Sequence, residues 1–151
     1  MYRLDGLDEE LQKEEEKKHD NVASFEDVKR KRKPFHFWEV NGVDHKMKLT
    51  TGMITRLENK YRTNVLSLVS SGDIPPLSVM LTVAQAALAP WEHGMKLEKV
   101  SNLYDEWLED GGNQLDFYKR VIMPTLAVSG FFTENQAEMM LKDLEEADSL
   151  I

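Results

Sequence analysis

Asn41-Gly42 stands between two stretches in which apolar and polar residues alternate. Both residues tolerate positive φ, which a type I′ turn needs at its two central positions, and that turn suits the twist of antiparallel strands. The pattern predicts a β-hairpin over 35–49. A two-residue loop fixes the pairing: Val40 with Val43, Trp38 with His45, His36 with Met47. Side chains alternate along a strand, so these six share one face, the expected core face. Phe35, Phe37, Glu39, Asp44, Lys46 and Lys48 share the other. A lone hairpin is marginal in water, so other elements must cover it.

Those elements read as helices. Thr51-Gly52 opens a segment with Met53, Leu57 and Tyr61 at helical spacing, widened by Ile54. A short helix follows through Val65, Leu66, Leu68 and Val69 and ends at Ser71-Gly72. After Pro75-Pro76 comes a strongly apolar helix, roughly 77–89, with Val79, Met80, Val83, Ala84, Ala87 and Leu88. Pro90 stops it. From Lys96 to Glu109, Leu97, Val100, Leu103, Tyr104, Trp107 and Leu108 form one stripe, closed by Gly111-Gly112. Residues 114–128 form another helix, which Pro124 kinks or splits. The last, Thr133 to Ala147, opens with a Thr133…Gln136 capping box, and Glu134 favours its dipole.

Residues 1–33 differ from the rest. They carry ten acidic and nine basic side chains, including the run Lys29-Arg30-Lys31-Arg32-Lys33. Such a stretch buries too little apolar surface to offset the entropy of ordering it. It reads as a charged, flexible arm, with a frayed helix around 8–18. The fold class is therefore mainly α (α+β): a single compact helical domain over 34–151, with an N-terminal β-hairpin and the arm before it.

The chain has 151 residues, no cysteine and a net charge of −8. Without cysteine there is no disulfide scaffold, zinc ribbon or thiol nucleophile. The acidic balance argues against a general nucleic-acid binder. No apolar run approaches the ~20 residues that span a bilayer, and the N-terminus lacks the apolar stretch of a signal peptide. A soluble intracellular protein is the expectation.

Few motifs carry chemistry. Asp105, Glu106, Glu109 and Asp110 cluster at a helix end, where a solvated face is the simpler reading than an acid–base pair. His36 and His45 share the hairpin face, and His93 sits in a turn; a metal site through them is the weaker alternative to histidines packed near Trp38. No nucleophile elbow and no phosphate-binding glycine loop is present. Residues 29–33 form a local basic field, so a small nucleic-acid-associated regulatory protein stays open as the alternative function. Trp91, Trp107, Phe131 and Phe132 are candidate interface anchors, and Met139 and Met140, with Leu144, form an adaptable stripe for a partner. By elimination the chain reads as a binding or assembly protein, with no cofactor.

Four segments carry a resemblance: KLTTGMITRLENK at 48–60, SGDIPPLS at 71–78, WEHGMKLEKV at 91–100 and LYDEWLEDGG at 103–112. Preceded by a strand pair, this order resembles the tail assembly chaperones of long-tailed bacteriophages and prophages, over roughly residues 35–130. The resemblance implies a non-enzymatic role: binding the tape-measure protein, keeping it soluble and assisting its assembly with the tail tube protein. It also implies work in the cytoplasm of the bacterial host and absence from the mature virion. Self-association and a longer, frameshifted form belong to the same expectation. A tape-measure protein exposes apolar helix faces, so its chaperone needs an apolar groove and an acidic exterior. The stripes of Leu103/Trp107 and of Met139/Met140 are the expected walls.

Overall fold

A computed structural model describes residues 33–70 and 72–149, with side chains as far as Glu146. The charged arm lies outside the described residues, except for Lys33.

Strands β1 (His36–Val40) and β2 (Val43–Met47) pair antiparallel in the expected register, His36 with Met47, Trp38 with His45 and Val40 with Val43. Asn41 and Gly42 take φ 52° and 77°, as a type I′ turn requires. Trp38, Val40, His45 and Met47 are buried and His36 is half-buried. Val43 departs from the expectation and is 56% exposed. It sits at the turn, beyond the residues that the helices cover.

Six helices follow. Helix α1 (Thr51–Tyr61) starts at Thr50, whose hydroxyl accepts the Met53 N–H, and ends at Arg62 in the left-handed region. Leu57 is buried, with Met53, Ile54 and Tyr61 packed on the core. Helix α2 is Val65–Ser70, capped by Asn64, whose Oδ1 accepts the Leu66 N–H at 2.8 Å. Helix α3 (Leu77–Leu88) is the apolar helix read from the sequence, and Met80, Val83, Ala84, Ala87 and Leu88 are wholly buried. It packs against β2, α1 and the helices that follow. The Lys48 N–H donates to the Ala87 carbonyl at 3.1 Å and ties the hairpin to it.

Helix α4 (Leu97–Glu109) buries Val100 and Tyr104, with Leu103 and Trp107 packed beside them. Leu97 and Leu108 are exposed, a correction to the six-membered stripe. At ~100° per residue they lie roughly 70–90° round from the centre of that seam.

Helix α5 spans 114–128 as three continuous pieces: Gln114–Asp116, a π-helical Phe117–Ile122 and Met123–Val128. Pro124 therefore does not split it. A proline has no N–H for the carbonyl four residues back, and its ring crowds that carbonyl. The wider π turn absorbs the misfit, with the Met123 N–H donating to Tyr118 five residues back. At the end of α5, the Ser129 hydroxyl accepts the Leu49 N–H at 2.9 Å and donates to the Thr125 carbonyl.

Helix α6 (Glu134–Ser149) opens with both bonds of the capping box, Thr133 N–H to Gln136 Oε1 at 3.0 Å and Gln136 N–H to Thr133 Oγ1 at 3.2 Å. Its inner seam is Ala137, Met140 and Leu141, resting on Ala127 and Val128.

One glycine is fixed by space. A Cβ on Gly112 would stand 2.4 Å from the Trp107 ring. Gly112→Ala is expected to lower the unfolding free energy by ~1–3 kcal/mol through overpacking. Gly52, in α1 with open space around it, should behave oppositely, Gly52→Ala adding ~0.4–1 kcal/mol by restricting the unfolded chain. Urea unfolding of the two variants checks both signs.

Candidate functional site

Trp38 projects from β1 into an aromatic cluster. Its ring centroid lies 5.3 Å from Phe117 and 6.1 Å from Trp107, while Tyr104 and Phe117 stand edge to face at 5.0 Å. Offset and edge-on contacts of this kind add to the area they bury. The cluster joins the hairpin to α4 and α5.

Beside it lies an open cavity of about 430 Å³. The hairpin supplies His36, Phe37, Trp38, Glu39 and Asn41. The end of α4 supplies Trp107 and Asp110, α5 supplies Arg120 and Val121, and α6 supplies Leu144. Side chains of consecutive strand residues point to opposite faces. A cavity touching four in a row therefore runs along the edge of β1, as a groove.

Two ring nitrogens of residues that line it, His36 Nε2 and Trp38 Nε1, are buried without a hydrogen-bond partner among the described residues. The indole N–H can only donate. A buried polar atom left unpaired costs ~1–3 kcal/mol, and each such atom in a native fold calls for an explanation. Burial pushes the His36 imidazole down to about 4; a hydrogen bond to the Arg120 backbone opposes the shift and the nearby Lys33 charge adds to it. His36 is thus neutral at pH 7.

The rim is acidic. Glu39, Glu106 and Asp110 are exposed, and Glu106 accepts the Asn41 side-chain N–H at 3.0 Å. Two cations nearby have acidic partners, Lys33 with Glu145 at 2.5 Å and Arg120 with Asp116 at 3.6 Å, while Lys46, opposite Phe37 in the ladder, lies over the Phe35 ring at 3.8 Å.

Of the six residues read from the sequence as partner contacts, the groove takes in Trp107. Trp91 is 37% exposed, but its Nε1 donates to the Lys48 carbonyl at 3.1 Å and its ring meets Phe35 edge-on at 5.1 Å. Phe131 and Phe132 are tucked against the core. Met139 and Met140 part company. Met140 packs inward with Ala137 and Leu141, whereas Met139 is 65% exposed. Consecutive residues on a helix point ~100° apart, so the two cannot form one wall. Leu144 is the α6 residue that reaches the groove.

The other candidates are dispersed. Asp105, Glu106, Glu109 and Asp110 are all exposed. His45 lies 6.5 Å from the Trp38 ring, with Nδ1 at 2.5 Å from Glu92 Oε1, and His93 is exposed. No group of three metal-ligating side chains gathers among the described residues. No described helix is long and apolar enough to cross a membrane.

Comparison with protein-family models, with curated proteins and with solved structures finds no match to this chain.

Phe37 and Glu39 escaped the sequence reading as site residues, and His36 and Asp110 were weighed there for metal and acid–base chemistry, not for a groove. One signal was present: a hairpin without a third strand leaves an open edge on each strand.

The burial of neutral His36 makes stability depend on pH. The unfolded imidazole binds a proton near pH 6.5 and the folded one near 4, so acid favours the unfolded chain. Between pH 7 and pH 4.5 this group alone should remove ~2–3 kcal/mol, all of it below pH 6.5. Urea unfolding at both pH values should show a smaller acid loss for His36→Leu than for the parent, by about that amount.

Proposed function

We propose that this chain is a non-enzymatic binding protein of the tail assembly chaperone kind, which holds a segment of the tape-measure protein in the groove along β1. The groove is the observation that carries the reading. It is open to solvent, walled by Trp107, Val121 and Leu144, and rimmed by exposed Phe37 and by carboxylates. Apolar walls with an acidic rim suit a partner that exposes apolar and basic surface, since burial supplies affinity and charge steers encounter. The order of segments over 35–130 adds the likeness to the tail chaperones. In this role the chain keeps the long partner soluble, passes it to the tail tube protein in the host cytoplasm, and leaves before the virion is complete.

The reading uses no reacting group. His45 is buried beside Trp38 and stands 2.5 Å from Glu92, which lies in the turn after α3, away from the groove residues. Ser129 is spent on the Leu49 N–H and the Thr125 carbonyl.

Co-expression with the long helical protein of the same tail gene cluster, followed by size exclusion with light scattering, tests the proposal. A soluble complex is expected where the partner alone precipitates. Leu144→Glu, inside the groove, should weaken the complex about tenfold or more, whereas Met139→Glu, outside it, should leave affinity within about twofold. A partner that ignores the chain, or that responds to Met139 and not to Leu144, contradicts the reading.

A further inference from the structure

We propose that the outer edge of β1 takes up an extended, basic peptide segment as a third strand of the sheet. This rests on the reading of the groove as a binding site and specifies the conformation and chemistry of what it binds.

The ladder decides which backbone groups of β1 face outward. Val40 and Val43 close a two-residue turn, so they form a hydrogen-bonded pair. Bonded and non-bonded pairs alternate in an antiparallel ladder. Trp38 and His36 therefore bond inward to β2, while the N–H and C=O of Phe37 and Glu39 point outward. Lys48 confirms the alternation from the other strand. It continues the non-bonded set, and it sends its N–H to the Ala87 carbonyl at 3.1 Å and its carbonyl to Trp91 Nε1 at 3.1 Å. There the protein covers its own outward groups. At Phe37 and Glu39 it does not: their outward groups have no partner among the described residues, and the groove runs along that edge.

An exposed strand edge is a template for another strand. A guest strand would meet the Phe37 and Glu39 backbone groups. Its alternate side chains would fall onto Trp107 and Leu144, which line the groove. The others would lie outward beside Phe37, which is 52% exposed. Glu39 and Asp110 have no ion-pair partner among the described residues, while Lys33 and Arg120 do. A guest with Lys or Arg at outward positions is thus favoured. A helix would leave the strand edge unpaired, because its own backbone groups are bonded internally.

The test is selection of random dodecapeptides against the full chain. The expected binders alternate apolar and polar residues and carry Lys or Arg. N-methylation of the guest amides that face β1 should weaken them about tenfold or more, while methylation of the alternate amides should not. Glu39→Pro, which removes one outward N–H and no ladder bond, should do the same, and Asp110→Lys should weaken them by a lesser factor. Binders with helical i, i+4 spacing that respond to Leu144→Glu but not to N-methylation overturn the strand proposal and leave the binding reading standing. No enrichment, or binders that ignore Leu144→Glu, overturns both. A chain that is dimeric by light scattering with its Phe37 and Glu39 amides already protected places a second copy on the edge, and overturns the peptide guest.

Discussion

The packing of Trp38 against Phe117 and Trp107 is the contact on which the other features depend. It is 2% exposed and joins the hairpin to α4 and α5. It also locks the strand register. A slip of one residue would turn Trp38 to solvent and bring Phe37 and Glu39 inward. With the register held, the backbone groups that face the groove are those of Phe37 and Glu39, and the neighbouring wall is Trp107. Gly112 completes the arrangement, since any side chain there would collide with the Trp107 ring.

A second chain of causes runs from Pro124. Its missing N–H cannot serve the carbonyl of Arg120, four residues back. The helix widens into a π turn there, and such turns recur where a helix borders a functional site. The His36 ring bonds to the backbone of that same Arg120 and is buried neutral. The same π turn carries Arg120 and Val121, which line the groove. The cost of burying His36 is a domain that weakens in acid.

Much of the fold was legible because its signals are local. Asn41-Gly42 carried the hairpin and its register, and Thr133 with Gln136 carried the start of α6. Pro75, Pro90 and Gly111-Gly112 punctuated the helices between. What was not legible depended on neighbours distant in sequence. Periodicity placed Leu97 and Leu108 on a stripe, but the width of the seam is decided by what packs against α4. Met139 and Met140 looked alike until Ala127 and Val128 chose Met140. Pro124 announced a perturbation without saying which. The groove was the least legible feature, because its walls come from four elements and its key groups are backbone atoms, which a residue pattern does not display. Trp107 and Leu144 were singled out for their side chains; Phe37 and Glu39 matter for the edge they stand on.

Amide hydrogen exchange of the free chain, resolved by residue, decides whether the outer edge of β1 is open. The ladder predicts alternation along β1: slow exchange at Trp38 and Val40, and fast exchange at Phe37 and Glu39. That result would establish an anchored hairpin whose outer edge is open. Uniform protection along β1, or slow exchange at Phe37 and Glu39 with Trp38 fast, would contradict the register and remove the groove edge on which the account is built.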